Sequence, residues 1–209
     1  ALTSDQMGQL TTAQVANLTS DQLPSLTTTD LNALGTQHFA ALTSAQATRL
    51  STSQLAALET DDLRALSTAN IRALSTDQLA ALTSDQMTAL TNGQVSSLTT
   101  AQVASLTTTD LNALSSDQMT ALTTAQVSAL TTGQIAALTS TDLNALGTGQ
   151  FAALSSVQAQ SLTTNQIANL ESQDLRNLST RALSSISTAQ LAALTSDQMG
   201  QLTTAQVAN

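Results

Sequence analysis

The chain has 209 residues, a net charge of −9 and a pI near 4.1, and its five basic residues are all arginines: Arg49, Arg64, Arg72, Arg176 and Arg181. Such a balance lacks the clustered cations that nucleic acid and anionic membrane surfaces require, so neither is an expected partner. The absence of cysteine excludes disulfides and thiolate metal sites, and the longest apolar runs, such as Phe39 to Leu42, fall far below the roughly 20 residues of a membrane span.

From Leu2 onward the chain reads as 26 consecutive octads without insertion or deletion. Position one is Leu in every copy except Ile186, and position six is always apolar, beginning with Met7 and Val15. Position two is Ser or Thr except at Gly35, Glu59, Gly147 and Glu171; position five is usually Gln, as in Gln6, Gln14 and Gln22, and otherwise mostly Asp. Ser/Thr-x-x-Gln in fixed register is a capping box. The hydroxyl accepts the amide three residues on, and the glutamine reaches back to the cap amide. The same register sets position one and position six at the two ends of a hydrophobic staple. Helix starts that recur every eight residues leave room for about one and a half turns each.

The third octad contains Pro24 at position seven, which a continuous helix would tolerate only at a penalty of about 3 kcal/mol. An uninterrupted helix is also disfavoured because at about 100° per residue an eight-residue repeat winds its leucines around every face. A β-solenoid would send positions one and six to opposite faces, and the composition is poor in the β-branched apolar and aromatic residues that strands favour.

The next octads carry a set of unusual residues: Gly35, His38, Phe39, Ala47, Glu59 and Arg64. Most of the set recurs 112 residues later, or 14 octads, as Gly147, Phe151, Ala159, Glu171 and Arg176. Each outsize Phe at position six precedes an undersized Ala at position six in the following octad, which reads as volume compensation between successive layers of one core, so neighbouring octads are expected to touch. Two large apolar side chains per octad do not offset the entropy of fixing eight residues, so octads must stack to fold. Residues 1–17 are repeated exactly at 193–209. Solenoids normally close with polar caps, so this pattern predicts a segment of a longer array, with residues 1–209 as one continuous stretch of it.

No reactive constellation emerges. His38 stands alone, where other octads have Gln or Asp, and is read as a capping substitute. No second His and no Cys accompany it to build a transition-metal site. The aspartates at position five (Asp30, Asp62, Asp110, Asp142, Asp174) and position four (Asp5, Asp21, Asp61, Asp77, Asp85, Asp117, Asp197) suit the first turn of a helix, where negative charge complements the helix dipole. Serine and threonine abound without a base to activate them. The expectation is therefore no catalytic residue, no cofactor and no metal. Met7, Met87, Met119 and Met199 are read as core filler. Position three, Ser or Thr in every octad but the one with Asn92, exceeds what capping explains and forms a hydroxyl ladder.

The string Leu202-Thr203-Thr204-Ala205-Gln206-Val207 resembles the opening of the helical repeats in TAL effectors, but the 34-residue period and the basic DNA-binding surface are missing. Over its whole length the pattern resembles the giant, acidic, cysteine-free, Ser/Thr-rich arrays of bacterial secreted surface proteins and adhesins. That resemblance implies export to the cell surface and a role in adhesion or extracellular filaments. Taken together, the expectation is an all-α solenoid of short capped helices, one per octad, serving as a structural segment of an extracellular or cell-surface fibre, stalk or filament that self-associates. The alternative is a surface-binding module for ice, polysaccharide or host glycan that uses the hydroxyl ladder.

Overall fold

A computed structural model describes residues 3–19 and 21–208, and among these residues it contains 25 α-helices and no strand. The helices are four to six residues long, from Ser4–Gly8 to Thr204–Val207, and each begins at position three of its octad. Helix Thr124–Ala129 is representative. Its cap, Thr123, is extended (φ −75°, ψ 157°), and its hydroxyl accepts the Gln126 amide. At the far end Leu130 leaves the helix at φ −58°, ψ 135°, and its N–H donates to the Val127 carbonyl.

Positions one and two are thus both extended, and this two-residue step redirects the chain before the next helix starts. No described residue has a positive φ, so the bends between helices do not depend on the left-handed glycine that closes many helices.

One octad departs from the rule of one helix each. In the third, Thr19 N–H still donates to Gln22 Oε1 at 2.8 Å, and Leu23 N–H reaches Thr19 O at 3.4 Å, but residues 21–25 form turns. The reason is Pro24, whose ring nitrogen has no hydrogen to continue the ladder at position seven.

The chain forms two compact units, residues up to Leu106 and from Thr107 onward. Within the first, helix Thr36–Ala40 packs on Thr60–Ala65, and Ser44–Ala47 packs on Thr68–Ala73. Within the second, Thr132–Ala137 packs on Ser156–Ser161, and Thr148–Ala152 on Ser172–Asn177. In each pair the partner lies three octads along, not in the next octad. One wind of the solenoid therefore takes about three octads.

Position-one leucines from Leu34 to Leu178 and position-six side chains from Met7 to Leu183 are buried. With about three octads to a wind, successive position-six side chains enter the same interior from different directions. Both Phe39 and the following Ala47 are fully buried there, but the helices that carry them each pack on the helix three octads along, so the expected contact between neighbouring octads gives way to contact between winds. Positions four and seven face outward in most octads.

Truncating the fully buried Ile135 to Ala should lower stability by about 2–5 kcal/mol. Gln160→Ala on the exposed position seven should change it by less than about 0.5 kcal/mol. Denaturant unfolding followed by far-UV circular dichroism measures both.

Candidate functional site

The feature that distinguishes this solenoid is a third buried column, at position five. Gln86 is representative, with only 3% of its surface exposed. Its Oε1 accepts the Thr83 amide at 2.9 Å, and its own amide donates to the Thr83 hydroxyl at 3.2 Å, completing the capping box. The Nε2 end points the other way. It donates to the carbonyls of Leu55 and Leu58, both at 2.8 Å, and these terminate helix Thr52–Ala56 on the neighbouring wind.

One side chain thus closes the N-terminus of its own helix and the C-terminus of another. The pattern recurs through the first unit, where Gln54 bonds Leu23 and Leu26, Gln94 bonds Leu63 and Leu66, and Gln102 bonds Ile71 and Leu74. In the second unit Gln158 reaches Val127 and Leu130 at 2.9 Å each, and Gln166 reaches Ile135 and Leu138 at 2.8 Å each.

The capping half of this role follows from the sequence pattern. The bridging half was missed there, although a signal exists. A capping box accepts Glu as readily as Gln, yet Glu never occupies position five; the two glutamates, Glu59 and Glu171, both stand at position two. A carboxylate has the acceptor that the cap needs and lacks the N–H groups that the neighbouring carbonyls need.

Exceptions to Gln obey the same logic. His38 accepts the Gly35 amide on Nδ1 at 3.0 Å, and its Nε2 lies 2.7 Å from the Leu10 carbonyl. In the tautomer with its proton on Nε2, the ring has an acceptor and a donor set at opposite ends like those of Gln. Asn70, one methylene shorter, donates from Nδ2 to the Leu42 carbonyl at 3.0 Å and accepts the Ser44 hydroxyl on Oδ1.

The aspartates fall into two groups. The carboxylates of Asp30 and Asp110 each accept the hydroxyl of their own cap threonine, at 2.7 and 2.6 Å, and Asp142 accepts that of Thr139. Asp62 and Asp174 follow a glutamate cap that makes no side-chain bond, so neither has such a donor. Burial, then Glu59 and Asp61, push the Asp62 carboxyl up to about 6, with His38 acting in the opposite direction. Burial and Glu171 push Asp174 up to about 6 as well.

No group of three or more His, Cys, Asp or Glu able to hold a metal occurs among the described residues. Along the outside, the position-three hydroxyls of Thr100, Thr108, Thr124, Thr132 and Thr164 are exposed. Among the described residues, no helix is long and apolar enough to cross a membrane.

A family model described as the ALTTAQ repeat matches residues 24–60, 55–92, 89–124, 108–140, 135–171 and 167–204. The chain belongs to the ALTTAQ-repeat family. The six overlapping matches run through the array from the Pro24 octad onward, and the ALTTAQ string itself spans the end of one octad and the cap, first helical residues and bridging Gln of the next. No curated protein matches the chain.

Two substitutions separate the halves of the amide's role. Gln102→Glu keeps the cap acceptor but turns a carboxylate toward the Ile71 and Leu74 carbonyls, and should destabilise the chain by about 1–3 kcal/mol at neutral pH. Thr99→Ala removes only the cap hydroxyl and should cost about 1 kcal/mol. A second test addresses the histidine. His38→Gln should leave stability within about 0.5 kcal/mol of the parent, whereas a larger loss in thermal denaturation would assign the ring a role beyond bridging.

Proposed function

We propose that this ALTTAQ-repeat segment is a structural spacer in a long extracellular or cell-surface fibre, stalk or filament, without enzymatic activity. The observation that carries the reading is the position-five ladder within each unit. It joins each wind to an earlier one by hydrogen bonds. A protein built this way gains length in equal steps, because every added octad brings its own cap, its own bridge and its own share of core. Near-interchangeable octads suit a mechanical task, whereas catalysis needs one unique arrangement of groups. The exterior, mostly hydroxyls and amides with scattered aspartates, suits an exposed, inert surface, and lateral self-association would use positions four and seven.

Duplicating one 112-residue block in frame tests this. Electron microscopy should show particles lengthened in proportion to the added octads at constant width. Compact particles of increased diameter would overturn the reading.

One observation favours a second reading, a module that binds a polysaccharide, a host glycan or ice: the exposed position-three hydroxyls recur with the octad. Polysaccharide pull-down and ice-shaping assays on the chain distinguish it, since a pure spacer gives no retention and no shaping.

A further inference from the structure

Asp62 and Asp174 occupy bridging positions with a side chain that, ionised, cannot bridge. Both are buried, 3% and 4% exposed, and Asp174 Oδ2 has no hydrogen-bond partner. Where Gln donates to carbonyls 28 and 31 residues back, these two carboxylates have the corresponding carbonyls of Leu34 and Leu31, and of Leu146 and Leu143. Asn70 establishes that a side chain of this length reaches. From position five its Nδ2 donates to Leu42 O, 28 residues back, at 3.0 Å.

A protonated aspartic acid has the size and shape of asparagine, with an O–H in place of the N–H. We propose that Asp62 and Asp174 are acid-operated clasps: protonated, each donates from its carboxyl to the carbonyl 28 residues back and completes the ladder; ionised, each leaves its bridge open. The proton comes from solvent, and no other bond changes.

The surroundings favour this assignment. Helix Thr60–Ala65 carries Asp61 and Arg64 beside Asp62, with Glu59 at its cap. The helices packed against it supply His38 and Asp85, and the helix ending before Leu34 carries Asp30. Asp174 has Glu171 at its cap and Arg176 on its own helix. Of the helices packed on that one, Thr148–Ala152 has no charged residue and Ser196–Gln201 has Asp197, while the helix ending before Leu146 carries Asp142. Acidic groups predominate around both, and neither cap offers the hydroxyl that serves Asp30, Asp110 and Asp142.

The sign of the pH dependence follows. Both groups have folded values of about 6, raised from 3.8, so the folded chain binds more protons than the unfolded chain between those limits. Stability is therefore highest below about pH 4 on account of these groups and declines as the pH rises through about 6.

The test is thermal unfolding of the 209-residue chain between pH 5 and 7.5, a window above the range of ordinary carboxyls, beside a D62N/D174N double variant. The parent Tm should fall by a few degrees across this window, while the variant, with a permanent N–H at both bridges, should hold the acid value throughout. A D174N single variant, at a site with no histidine on the helices packed against it, should remove part of this pH dependence by itself. Equal pH dependence in parent and variant would overturn the proposal, as would a variant less stable than the parent at pH 7.5. So would calcium at pH 7.5 that raises the parent Tm as far as acid does, since the open bridge would then take a cation instead of a proton.

Discussion

A single amide bonded at both ends makes the rest of this structure possible. A helix of four to six residues has more unsatisfied terminal N–H and C=O groups than internal hydrogen bonds, and burying such termini unpaired is expensive. A solenoid that starts a new helix every eight residues multiplies the problem at every octad. Position-five glutamine resolves it economically, because its oxygen serves the N-terminus of one helix and its nitrogen the C-terminus of another. The two needs meet in one side chain only because the winding brings the start of a helix beside the end of an earlier one.

The same geometry explains why an almost featureless core suffices. Leucines at position one and varied apolar residues at position six fill the interior, and their non-directional attraction alone would tolerate slippage of one wind against the next. Bonds of 2.8 Å from Gln86 to Leu55 and Leu58 do not. Hydrophobic burial supplies most of the driving force, and the amide ladder fixes which octad lies beside which.

Much of this was legible in the sequence, for identifiable reasons. Helix starts are local events, so Thr123 and Gln126, three residues apart, announce theirs without reference to anything distant. The apolar marks at positions one and six identify the core because they repeat without slipping. Contacts between winds were not legible. The number of octads per wind depends on the backbone angles of the two extended residues between helices, and no residue type in the octad encodes those angles. Without that number, nothing reveals that Gln102 lies beside Leu74, and glutamine looks like a capping residue alone. The absence of Glu from position five was the one trace of the second role. Pro24 spoke only against a continuous helix in the sequence, and its missing N–H is enough to reduce an octad this short to turns.

Departures from glutamine show which parts of the role are indispensable. His38 and Asn70 preserve both an acceptor and a donor, by different chemistry and at different lengths. Where Ala182 takes position five there is neither; Ser179 still caps the Ala182 amide, and helix Thr180–Leu183 is only four residues long. Such missing bridges, at Ala182 and at aspartates such as Asp110, are tolerated because stability in a repeat array is approximately a sum over neighbours, so a local loss stays local. The ladder is also directional, since the bridging glutamines give their acceptor to their own helix and their donors to a helix earlier in the chain. Each wind therefore presents donors toward the earlier winds and carbonyls toward the later ones, and a further octad of the same kind finds the partners that its predecessor found.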